Sequence, residues 1–173
     1  MEQRISTKRI YEGRVLNLRV DEVRLENGKP GRREVVEHHG AAAIVPILEG
    51  GEVILVRQYR YPIGTELLEI PAGTLKENED PEACAVRELE EETGYRCNEI
   101  AKLTECFVAP GYSTEKIHIY LAKSLTRTQP NMDEDESIAL ERFPFQEAMR
   151  KIRAGEIQDA KSVVGLQAAA SRL

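Results

Sequence analysis

Three glutamates, Glu88, Glu91 and Glu92, stand at i, i+3 and i+4 within the run Arg87-Glu88-Leu89-Glu90-Glu91-Glu92. On a helix of about 3.6 residues per turn they share one face. Like charges at that spacing repel by a few tenths of a kcal/mol per pair. A hard divalent cation such as Mg²⁺ removes the conflict, because it takes oxygen ligands from a few carboxylates, waters and substrate phosphates. A solvated acidic face is the alternative reading of such a run. The helix that must carry these residues has local signals at both ends. Asp80 followed by Pro81 offers a capping side chain and then a residue with no N–H to satisfy. Gly94 is suited to the left-handed turn that stops a helix. Between them Ala85, Val86, Leu89 and Thr93 fall on one side and are expected to face a core. Cys84 falls on the glutamate side and reads as an ordinary packed thiol.

The wider spacing is more specific. Gly73, five residues, Glu79, seven residues, Arg87-Glu88-Leu89, then Glu91, Glu92 and Gly94 follow one another in order. This stretch resembles the signature box of the Nudix hydrolases. Tyr95 is its one soft departure, standing where the family usually has an aliphatic residue. The resemblance implies a loop–helix–loop that holds a metal and hydrolyses a nucleoside diphosphate linked to another group. It also implies the Nudix fold, an α/β/α sandwich around a mixed β-sheet, here with an N-terminal antiparallel strand extension. Pro110 lies fifteen residues beyond Tyr95, within Ala109-Pro110-Gly111-Tyr112-Ser113-Thr114-Glu115. A proline there is similar to the ADP-ribose pyrophosphatase branch, as are 56–60, 68–73, 133–136 and Ala160-Lys161-Ser162-Val163-Val164.

Site residues follow from that resemblance, position by position. Glu88 and Glu92, with Glu91 close by, the Ala72 carbonyl and Glu136 are implied as metal ligands. Glu134 is implied as the general base. Arg87 is implied to lie between the glutamates and Glu79 and to orient them from a second shell. Arg60 is implied to grip a substrate phosphate, for which a planar guanidinium fork is suited. Gln58 alternates with Arg60 and so shares its sheet face. Glu115 is implied to contact the terminal ribose, and Arg32 to reach across a dimer toward the adenosine half. The reaction implied is hydrolysis of ADP-ribose to AMP and ribose 5-phosphate with Mg²⁺, or with Mn²⁺ or another divalent cation. Cleavage of another nucleoside diphosphate sugar is one alternative. A non-catalytic sensor of ADP-ribose is another, although a pure binder has no use for a crowded carboxylate face.

Composition is consistent with this reading. The chain has 173 residues, enough for a sizeable core, and a net charge of −6. That balance argues against a nucleic-acid partner. No apolar run approaches the ~20 residues of a membrane span, and the first residues lack the apolar core of a signal peptide. Three cysteines without metal spacing suit free thiols in the cytoplasm. Strands are expected within 8–26, 33–39, 41–48, 53–58, 66–70, 102–108, 116–122 and 138–143. Leu16, Leu18 and Val20 alternate, then Val23 and Leu25 shift phase, which predicts a β-bulge there. Asn27-Gly28 predicts a turn. Helices are expected over 145–153 and 159–173, giving helices around a mixed sheet. Residues 1–40 are expected to form the β extension, packing on the main domain or serving dimerisation, and 41–173 the hydrolase domain of a homodimer.

Overall fold

The run 41–46 carries no charged side chain, and every residue in it is buried. A strand of that composition needs apolar cover on both faces. The computed structural model, which describes residues 1–128 and 138–173, shows how it is covered. In chain order the strands are β1 (Gln3–Glu12), β2 (Asn17–Arg24), β3 (Pro30–Glu37), β4 (Ala41–Pro46), β5 (Glu52–Arg60), β6 (Thr65–Glu69), β7 (Ala72–Thr74), β8 (Tyr95–Phe107), β9 (Lys116–Arg127) and β10 (Ile138–Pro144). The helices are α1 (Pro81–Thr93), α2 (Phe145–Arg153) and α3 (Ala160–Ala170). Among the described residues, no helix is long and apolar enough to cross a membrane.

The chain divides into two compact units, Met1–Gly40 with Phe107–Lys116, and Ala41–Cys106 with Ile117–Leu173. In the second unit β4 pairs in parallel with β9 and antiparallel with β7, so this sheet is mixed, in the order β7-β4-β9-β8. A second sheet has the antiparallel order β10-β5-β6. Alternation along β4 divides the core. Ala42 and Ile44 pack with Ala85 and Leu89 of α1. Ala41, Ala43 and Val45 pack with Leu166 and Ala169 of α3, Ala148 of α2 and Leu55 of β5. Gly165 lets α3 lie close, because a Cβ there would meet Ile70 Cδ1 at 2.8 Å. The helices therefore cover both faces of the β4 sheet, as the α/β/α reading expects.

The first unit is the antiparallel sheet β1-β2-β3. Asn27-Gly28 makes the expected turn, with Gly28 at φ +79° and its N–H donating to Leu25 O at 2.8 Å. The bulges are elsewhere than expected. β2 pairs with β3 in unbroken register, and the irregularities fall in β1, between Arg4 and Ser6 and between Arg9 and Tyr11. Residues 107–116 join this sheet through a parallel bridge of Ser113 to Val36. Val36 N–H donates to Tyr112 O at 2.8 Å and Thr114 N–H to Val36 O at 2.9 Å.

Three further expectations change. β8 begins at Tyr95, directly after α1, and not near Lys102. β7 has no counterpart among the expected strands, since three residues carry too little pattern to be read. On α1, Cys84 is in the core with Ala85 and Leu89, whereas Val86 is only partly buried. Leu89 is fully buried. Leu89→Ala is expected to lower stability by about 2–5 kcal/mol in urea unfolding, and a loss below about 0.5 kcal/mol would contradict this packing.

Candidate active site

The acidic helix is held at both ends by its own sequence. The Asp80 carboxylate accepts N–H bonds from Glu82 and Ala83 at 3.0 and 3.1 Å. Gly94 closes the helix at φ 68°, ψ 31° and donates to Glu90 O at 2.9 Å. This fixes the rotation of α1, with its apolar side on β4 and its glutamates toward β7.

Arg87 organises the carboxylates. Its Nε and Nη2 fork onto Glu79 Oε1 and Oε2 at 2.9 and 3.0 Å. Its Nη1 donates to Glu91 Oε2 at 2.8 Å and to Glu88 Oε1 at 2.5 Å. Nη2 also meets Cys84 Sγ at 3.3 Å. One guanidinium against three carboxylates leaves the group negative, before the buried Glu92 is counted. Hydrogen bonds from Arg87 are the largest reason that the Glu79 carboxyl falls from its ordinary 4.5 to about 2; partial burial opposes the shift and the Lys76 N–H supports it. The Arg87 guanidinium is driven further up, chiefly by Glu79. Burial pushes the Cys84 thiol up to about 12, so it stays protonated and inert, as a packed thiol should.

Two carboxylates converge on one short segment. Glu92, only 4% exposed, accepts the Ala72 N–H at 3.2 Å. Glu88 lies so close to Gly73 that a Cβ on that glycine would stand 1.8 Å from Glu88 Oε1. A side chain at the glycine of the box would therefore push its glutamate aside. Among the described residues, no three His, Cys, Asp or Glu side chains are gathered into a group able to hold a metal ion. Glu91 is turned to Arg87. Glu88 and Glu92 still bring hard carboxylate oxygens to neighbouring points of the Ala72–Gly73 main chain. That suits a cation which commonly takes one or two carboxylates and leaves other positions to water and phosphate.

The remaining expected residues are distributed as follows. Gln58 and Arg60 lie on β5, opposite Leu67 and Thr65 of β6. Arg60 forks onto Glu69, with Nε–Oε1 and Nη2–Oε2 both at 2.7 Å. Arg32 lies on β3 opposite Glu22, in the first unit. Glu115 belongs to that unit too, its N–H donating to Ser113 Oγ at 3.1 Å and its carboxylate 3.9 Å from His38 Nδ1. Glu134 and Glu136 lie outside the described residues. Sequence reasoning did not assign Glu69 a partner. The signal was available: a carboxylate inside Leu67-Leu68-Glu69-Ile70 needs one if that run is buried.

Comparison with known proteins decides the family. The NUDIX domain matches residues 37–163. The chain belongs to the Nudix family. Residues 2–36 match a further domain described as the nucleoside diphosphate sugar hydrolase N-terminal domain. A Bacillus methanolicus protein named methanol dehydrogenase activator is 42% identical over 168 residues, covering 96% of this chain and 91% of its own. An ADP-ribose pyrophosphatase of Bacillus subtilis is 38% identical over 168 residues, with the same coverage of 96% and 91%. Among solved structures, an ADP compounds hydrolase superposes with a TM-score of 0.88 at 24% identity, over 99% of this chain and 94% of that one, which bears on the fold.

Two outcomes are expected of this Nudix site. Gly73→Ala must displace Glu88, so activity is expected to fall more than about tenfold while circular dichroism is unchanged; retained activity would contradict the close approach. The Glu79 carboxyl has a lower pKa folded than unfolded. Its contribution to stability is therefore full above about pH 4.5 and lost as pH falls toward about 2. Urea midpoints measured across that window are expected to fall less steeply in Glu79→Gln than in wild type, and equal slopes would contradict the assignment.

Proposed function

We propose that this Nudix hydrolase cleaves ADP-ribose to AMP and ribose 5-phosphate with Mg²⁺ as its cation. The observation that carries the reading is the convergence of Glu88 and Glu92 on Ala72 and Gly73, beside an Arg87 that bonds the carboxylates of Glu79, Glu88 and Glu91. Glu88, Glu92 and the Ala72 carbonyl would hold the cation, with Glu91 and Glu136 completing the set. Bound there, Mg²⁺ would neutralise charge on the phosphoryl oxygens and orient a water for attack. Arg87 keeps the carboxylates apart and aimed. Glu134 takes the proton from the water. Arg60, on the same strand face as Gln58, offers a phosphate the guanidinium edge that Glu69 does not use. Glu115 and Arg32 belong with the substrate's ribose and adenosine ends, Arg32 acting from a second copy in a homodimer. In this reading residues 1–40 serve dimerisation and 41–173 catalysis, in the cytoplasm.

The choice of ADP-ribose rests on Pro110 with its surrounding segment and on the named relatives. A second reading keeps the chemistry and widens the substrate to other nucleoside diphosphate sugars. The description of the domain that matches 2–36 favours it, because it names that whole class.

Chromatography of the products from ADP-ribose, ADP-glucose, GDP-mannose, NADH and a nucleoside triphosphate, each with Mg²⁺, separates the two. Fastest release of AMP from ADP-ribose is expected. Faster cleavage of another nucleoside diphosphate sugar would favour the second reading, and binding of ADP-ribose without cleavage would contradict both. Glu92→Gln is expected to lower turnover more than about a hundredfold with folding retained, since it removes a ligand from a site worth several kcal/mol. Turnover at the wild-type level in that variant would remove the metal assignment.

A further inference from the structure

A buried ion network joins α3 to the strand that leads into the box. Glu69 is 1% exposed, and a carboxylate so placed persists only when paired. It accepts the Arg60 fork on both oxygens and a further bond from Lys161 Nζ. Despite the cost of burial, its largest influence, these partners hold the Glu69 carboxyl below the usual range. Lys161 Nζ also donates to Asp159 Oδ2 at 3.0 Å. Asp159 caps α3, accepting the Ser162 N–H at 2.9 Å and the Ser162 hydroxyl. Ser162 Oγ in turn accepts the Ile70 N–H at 2.8 Å. The segment 69–70 is therefore held at a side chain and at a main-chain N–H by one helix end.

The geometry leaves Arg60 half in and half out. Its side chain is 39% exposed, against 1% for its partner. The fork to Glu69 uses the Nε edge, two of the five guanidinium N–H donors. Holding a free arginine in one geometry costs a ligand side-chain entropy. Here that order is imposed by folding, which is how preorganisation strengthens binding. Glu69 itself is kept in place because Lys161 bonds the same oxygen, Oε2, that receives Arg60 Nη2.

We infer that Lys161 is a positioning residue: acting through Glu69, it fixes the Arg60 guanidinium in the orientation that receives the substrate's diphosphate. The inference rests on the reading that Arg60 holds a phosphate. It gives a purpose to Ala160-Lys161-Ser162, which the roles assigned above leave unused. It differs from a direct contact of Lys161 with substrate, and from a simple brace for α3.

Steady-state kinetics on ADP-ribose test it with wild type, Lys161→Met, Lys161→Arg, Glu69→Gln, Glu69→Gln/Lys161→Met and Arg60→Met. Lys161→Met is expected to raise KM about tenfold with kcat within about threefold, the pattern of lost uniform binding. Lys161→Arg is expected to recover most of the affinity. If Lys161 acts through Glu69, adding Lys161→Met to Glu69→Gln changes KM by less than about twofold. An unchanged KM in Lys161→Met, or KM effects that multiply in the double variant, would overturn the inference while leaving the Arg60 reading standing. A wild-type KM in Arg60→Met would overturn both, and shows in that single variant. Thermal unfolding monitors each protein, and Lys161→Gln takes the place of Lys161→Met in the same cycle should the latter not fold.

Discussion

Arg87 donates to carboxylates of Glu79, Glu88 and Glu91 from the middle of a helix whose next glutamate, Glu92, is buried. Without that guanidinium, acidic residues one turn apart would repel in a partly desolvated place, where charge interactions are stronger than in water. With it, they are oriented but not neutralised. The same residue therefore makes the helix tolerable to the fold and leaves it net negative, as the proposed divalent cation requires. Glu79 reaches Arg87 from the loop before the helix and also accepts the Lys76 N–H at 2.9 Å, so the loop is tied into the charge balance.

Rigid elements bring the remaining parts to this centre. β4 lies between α1 and α3, with small residues, Ala41, Ala42 and Ala43, opposite β7. That pairing sets the height of Ala72 and Gly73, onto which Glu88 and Glu92 close. The Pro71 carbonyl accepts the Ile44 N–H at 2.9 Å, which fixes the turn between β6 and β7. On the other side α3 holds Glu69 and Ile70. The segment 69–73 is thus secured from the sheet, from α1 and from α3, and both Arg60 and the Ala72 main chain depend on it.

Much of this was legible in the sequence where the signals are local. Asp80, Pro81 and Gly94 mark α1, because capping is written in neighbouring residues. The box spacing carried the family and the partners of Arg87. What could not be read depends on distant pairing. β7 exists because Ala72–Thr74 meets β4, and three residues hold no period of their own. Residues 107–116 bond to Val36 and His38 through Thr114 and its neighbours, with His38 and Thr114 76 positions apart in sequence. The phase shift near Val23 points to a bulge in β2, but the extra residues sit in β1. Period alone puts Val86 in the core and Cys84 among the glutamates, whereas Cys84 is buried and Val86 only partly so. The pairing of Glu69 is not legible locally, since it joins Arg60 of β5 to Lys161 of a helix more than ninety residues later.

The glutamates around Arg87 are proposed to form a site for a divalent cation. Titration with Mn²⁺, followed by the electron paramagnetic resonance signal of the free ion, tests it without depending on turnover. Saturable loss of the free-ion signal is predicted for the wild-type protein and not for Glu92→Gln at the same concentrations. Equal binding by both proteins, or none by the wild type, would contradict the account.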